Sequence, residues 1–145
     1  MGSLALACKE HSLICHVAVV HERSALLVRY RDPSGYDGQT GWFNPNDALR
    51  HAEDPRVAAR RILKEQTGIE KVSLKLVEVE SFIGNDGSWH LVFDYLASPV
   101  SMTVTKGEGV MQASWFDIDK LPPANEFSHE GWGRGLLLRL AQIPA

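Results

Sequence analysis

Residues 53–69 read EDPRVAARRILKEQTGI, and this stretch organises the rest of the chain. Asp54 followed by Pro55 is a helix start. The aspartate accepts a free amide at the N-cap, and the proline presets φ where its missing N–H is not needed. The spacing predicts a helix to about Gln66, stopped at Gly68, a residue suited to the left-handed C′ position. On such a helix, positions i, i+3 and i+4 share a face, so residues 62, 65 and 66 project together. They are Ile62, Glu65 and Gln66.

Upstream, residues 13–20 (LICHVAVV) and 25–30 (ALLVRY) are β-rich runs joined by His21-Glu22-Arg23-Ser24, an antiparallel hairpin. Residues 31–41 are dense in Gly, Pro, Asp and Ser and read as a loop. Residues 42–45 read as a short strand or turn. Downstream, residues 72–83 form a long strand, Asn85-Asp86-Gly87 a tight turn and residues 88–97 its antiparallel return. A short strand at 101–105, a loop at 106–109, a strand at 113–117 and a helix ending over 136–143 complete the reading. Strands, helix, strands, helix predicts an α+β fold, a mixed sheet packed between helices.

The 145 residues fit one domain, 1–145, large enough for a substantial core. A 44% hydrophobic and 23% charged composition is that of a soluble globular protein. A formal charge of −3 gives no general attraction to nucleic acid. No apolar run approaches the ~20 residues of a membrane span. The N-terminus has no basic region ahead of its apolar patch, which argues against a secretory signal. Leu6 stands where a myristoylation signal needs Ser or Thr. Cys8 and Cys15 make no CxxC, hence neither a zinc site nor a disulfide framework. Cys15 reads as a small buried hydrophobe, and a reducing, cytoplasmic compartment is expected. A homodimer is the base-rate expectation for assembly.

Residues 47–69 resemble the Nudix box, G-x5-E-x7-R-E-U-x-E-E-x-G-U, with U aliphatic. Glu53, Arg61, Leu63, Glu65, Gly68 and Ile69 match it. Asp47 stands at the opening glycine, Ile62 at the first glutamate after the arginine, and Gln66 at the last glutamate. The flanks are also similar to that family. VVHERSALLVRYRD (19–32) resembles its first hairpin, WFNP (42–45) the segment before the box, and SWFDIDKLPP (114–123) the approach to the last helix. The resemblance covers roughly residues 13–140. It implies a Nudix-type α/β/α sandwich.

The resemblance further implies a hydrolase of nucleoside diphosphate-linked substrates. In that family the shared helix face holds Mg²⁺ or Mn²⁺ through glutamates, because these ions need hard oxygen ligands. The metal set it implies here is Glu65 and Gln66, with Asp47 as a compensating carboxylate. The catalytic residues it implies are Glu65 and Glu108, the latter as the glutamate a later loop supplies, and Glu108 reads also as a solvated glutamate on a mobile loop. Glu65 reads equally as a surface partner of Arg61 one turn earlier. Ile62 either dries the pocket or widens the buried helix face. Asp47 has a second reading, as a turn residue tolerating positive φ. Glu53, Arg61 and Gly68 are the structural members of the motif. Trp42, Phe43 and Arg61 are candidate substrate contacts, with Tyr36 and Trp89 as further aromatics. Six histidines show no metal spacing, and His16 and His90 lie in strands that can line a pocket.

Two functions follow from these expectations. One is a Nudix hydrolase using Mg²⁺ or Mn²⁺. The other is a nucleotide-binding module on the same scaffold that has lost the metal chemistry. If the site has simply eroded, restoring glutamates at 62 and 66 should raise metal-dependent hydrolysis.

Overall fold

The computed structural model describes residues 11–84 and 86–140. Cys8, Asn85 and residues 141–143 of the expected last helix lie outside them. The strands are β1 (His11–His21), β2 (Ser24–Tyr30), β3 (Asn46–Ala48), β4 (Val72–Ile83), β5 (Trp89–Pro99) and β6 (Val110–Asp117). The α-helices are α1 (Pro55–Thr67) and α2 (Trp132–Leu140). The sheet runs β4-β5-β1-β2-β6, with β3 added to β1. β1 and β5 are parallel and every other pair is antiparallel, so the sheet is mixed.

Local chemistry sets the ends of α1. Asp54 caps it by accepting from the Arg56 amide at 2.8 Å, and Gly68 closes it at φ +71°. Its buried residues, Ala58, Ala59, Ile62, Leu63, Gln66 and Thr67, recur at helical spacing. Ala58, Ala59, Ile62 and Leu63 pack with Cys15, Val17, Val19, Leu26, Tyr95 and Ala97 on one face of the sheet. Complete burial of Ile62 and Leu63 stabilises the fold by about 1.5–3 kcal/mol each. The opposite face presents Ala18, Ala25 and Leu27 to Leu136, Leu137 and Leu140 of α2. Two helical layers thus enclose one sheet, the expected α/β/α sandwich.

One segment resolves the sequence reading and another corrects it. Residues 42–45, read as a short strand or turn, make only isolated bridges, Val28 to Phe43 and Trp42 to Phe127, and the strand proper follows at Asn46–Ala48. Residues 101–105, read as a strand, are not one. Their backbone wraps the end of α1, where the Thr105 amide donates to the Thr67 carbonyl at 2.9 Å, so β propensity yields to a helix-terminal contact. No helix among the described residues is long and apolar enough to cross a membrane.

Candidate functional site

Arg61 organises the loop ahead of α1. Its Nε donates to Glu53 Oε2 at 2.8 Å and its Nη2 to Glu53 Oε1 at 3.0 Å. Nη2 also reaches the Ala48 carbonyl at 3.0 Å, while Nη1 reaches Asp47 Oδ2 at 3.2 Å. The fork geometry of guanidinium suits such a bidentate clamp. The bond from Arg61 holds the Glu53 carboxyl down at about 2. Hydrogen bonding to Glu53 likewise raises the Arg61 guanidinium. Glu53 also accepts from the Arg50 amide at 3.0 Å, which closes the loop on itself.

The three helix-face positions separate in space. Ile62 is wholly buried in the core beneath the sheet. It points away from any diphosphate, because the helix buries a wider apolar face. Gln66 is also buried, with both amide atoms engaged. Its Oε1 accepts from Tyr30 Oη at 2.8 Å, and its Nε2 donates to the Asn46 carbonyl at 2.9 Å. Glu65 alone faces solvent, 3.0 Å from Arg50 Nη2 and 3.5 Å from Arg61 Nη1. Asp47 is half-buried in β3 and accepts from its neighbour Ala48. Positive φ occurs at neither Asn46 nor Asp47, so the turn reading of that position does not hold.

Glu108 lies on an exposed loop tied to the same helix. The Gly107 amide donates to the Gln66 carbonyl at 3.1 Å, and the Glu108 carbonyl accepts from Arg31 Nε at 2.8 Å. A Cβ on Gly107 would stand 1.9 Å from the Glu65 carbonyl oxygen, so this close approach requires glycine. The structure therefore carries Glu108 to the C-terminal end of the box helix.

A cleft of about 1070 Å³ opens along the 46–52 segment ahead of α1, and neither Arg61, Glu65 nor the 106–109 loop is among its lining residues. Asp47, Arg50, Tyr36 and Phe43 stand toward the box, and His16, His90 and Trp132 also line it. Phe43 lies edge-on to Tyr30, and Tyr36 stacks on Tyr30 at 3.7 Å. Trp42 does not line the cleft. It packs edge-on to Phe116 in the α2 core under the Arg29 guanidinium, which removes it from the substrate contacts.

Five of the six histidines, 11, 16, 51, 90 and 129, line the cleft. Their sequence spacing gives no hint of this, because four separate segments bring them together, β1 supplying both His11 and His16. His16 is 4% exposed and lies edge-on to Trp132 at 4.8 Å. Burial pushes its imidazole down to about 3, so it is neutral. His129 is the residue the sequence reading missed. It and Glu130 hold left-handed backbone at φ +50° and +56°. The His129 amide donates to Gln39 Oε1 at 3.0 Å, and its Nε2 lies 3.6 Å from Asp37. These contacts join the 128–131 turn to the 33–39 loop across the cleft. Strained non-glycine backbone of this kind is typical of binding sites.

A family model, the NUDIX domain, matches residues 11–137. Among solved structures, a NUDIX family hydrolase from Clostridium perfringens is similar at TM-score 0.70 and 15% identity, covering 92% of this chain and 99% of that one. A MutT NUDIX hydrolase from Burkholderia pseudomallei aligns at TM-score 0.67 and 24% identity, covering 91% and 99%. An Ap4A hydrolase from C. elegans aligns at 0.68 and 18%, again covering 91% and 99%. No curated protein matches the chain.

Proposed function

Because the chain belongs to the Nudix family, we propose that its cleft binds a nucleoside diphosphate-linked small molecule and that its box serves as a binding frame with strongly weakened hydrolysis. The observation that carries this reading is Gln66, whose two amide atoms are spent on Tyr30 and Asn46. The divalent metal that the family implies needs several hard oxygens on one helix face. Ile62 has none, Gln66 has none to spare, and Glu65 is ion-paired with Arg50 and Arg61. The donor set does not fit a metal at the box.

What remains suits recognition. Tyr36 and Phe43 supply an aromatic wall for a base. Arg50 is an exposed cation at the rim, free to exchange a carboxylate partner for a phosphate because surface ion pairs are worth little. Neutral His16 gives the cleft wall an uncharged hydrogen-bonding group.

A second reading retains hydrolysis, and one observation favours it. Asp47 and Glu65, both partly exposed, approach the same Arg61 nitrogen at 3.2 and 3.5 Å, with the Glu108 loop against the same helix. Phosphate release from nucleoside triphosphates, ADP-ribose, dinucleoside polyphosphates and nucleotide sugars, with Mg²⁺ or Mn²⁺ and a Glu65→Ala control, separates the two. Binding seen by calorimetry without turnover supports the first. Turnover that vanishes in Glu65→Ala establishes the second.

A further inference from the structure

We propose that Glu78, Glu80 and Asp94 form a divalent-cation site on the α2 side of the sheet, separate from the box. One carboxylate oxygen of each lies within 4.8 Å of the others. Glu78 pairs directly with Asp94 across β4 and β5, just after a register shift between Leu76 and Glu78 that interrupts the normal alternation. Glu80 stands two residues on along β4.

An acidic cluster alone would mean little. Here the atoms inside it lack partners. Both oxygens of Asp94, which is wholly buried, and Oε2 of Glu80 make no hydrogen bond. His16 supplies an independent sign. It comes from β1, is 4% exposed, and directs a partnerless Nδ1 toward Asp94 Oδ1 at 3.4 Å. Three partnerless buried oxygens thus belong to the cluster, and a partnerless nitrogen flanks it from β1. A single water offers no charge, and the one proton that burial and the neighbouring Glu80 and Glu78 hold on Asp94, whose pKa is raised to about 9, cannot serve all three carboxylates.

A divalent cation can. The donors are hard oxygens, which suit Mg²⁺, Ca²⁺ or Mn²⁺ over softer ions. Arg139 of α2 already neutralises one carboxylate, its Nη2 2.8 Å from Glu78 Oε1. A doubly charged ion balances the other two. Glu78 is half-buried and gives access from solvent. His16 is then a positioning residue that orients Asp94, and its other flank lines the cleft. The site links cation binding to the cleft wall through one imidazole.

Titration with Mn²⁺ alone, read by electron paramagnetic resonance, tests the site without any nucleotide. One ion per chain is expected, retained in Glu65→Ala and weakened at least about tenfold in Glu80→Gln. Glu78→Gln, at a partly exposed position, is expected to weaken it as well and decides the matter should Glu80→Gln not fold. Absence of binding overturns the proposal, as does binding that both glutamine variants retain or that Glu65→Ala abolishes. None of these outcomes depends on whether the cleft binds a nucleotide.

Discussion

Arg61 and Glu53 share two hydrogen bonds, at 2.8 and 3.0 Å, between side chains that are each 10% exposed. Eight residues separate them, and the pair ties the entry loop to the middle of α1. Arg61 also reaches Ala48 and Asp47. It therefore sets the position of the whole 47–53 segment at the edge of the cleft.

Arg61→Ala is expected to destabilise the fold by about 2–3 kcal/mol, because it leaves Glu53 partly buried without its partner. Urea unfolding measures this. A loss under half a kcal/mol would mean that the clamp contributes no more than an exposed pair.

The same pair gives a pH dependence. The folded Glu53 carboxyl is depressed from 4.5 to about 2, so its contribution is fully present above pH 4.5 and is lost as pH falls toward 2. Thermal unfolding between those limits should show a steeper loss in the wild type than in Glu53→Gln. Parallel curves would contradict the assignment.

Restoring the box glutamates is not expected to restore hydrolysis. Ile62→Glu places a charge in the sealed core and should cost more than about 3 kcal/mol. Gln66→Glu removes the donor to the Asn46 carbonyl and should cost about 1–3 kcal/mol. On that ground the double substitution is expected to lower stability without raising turnover, the opposite of what the motif alone suggests. A folded double variant with metal-dependent phosphate release would show that the helix can rotate these positions outward.

Gly107 and Gly109 form a matched pair. Gly107→Ala meets the Glu65 carbonyl and should destabilise by about 1–3 kcal/mol, since one of two backbones must move. Gly109 has open space, and Gly109→Ala should change stability by less than about 0.5 kcal/mol. Equal effects in calorimetry would place the loop elsewhere.

Much of the fold was legible because its signals are local. Asp54-Pro55 and Gly68 mark the helix ends through backbone chemistry within a few residues. The β1–β2 hairpin closes through Glu22 and Arg23, with Glu22 at φ +54°, as the two β-rich runs required. The segment at 101–105 was misread because its residues favour strands in isolation, and only the end of α1 tells them otherwise.

The candidate site was less legible. Glu65 and Gln66 are adjacent in sequence, yet one meets solvent and the other meets Tyr30 from 36 residues away. The five cleft histidines and the Glu78–Glu80–Asp94 cluster have no spacing signature, because strand pairing assembles the cluster and strands and loops from distant segments bring the histidines together.

The sequence by itself determined the box register, the limits of α1 and the Arg61–Glu53 spacing, since each depends on contacts along a short piece of chain. Only the tertiary structure decided that Ile62 faces the core, that the Gln66 amide is spent and that His16 meets Asp94. Those outcomes depend on which sheet face each element covers, and packing between distant segments sets that.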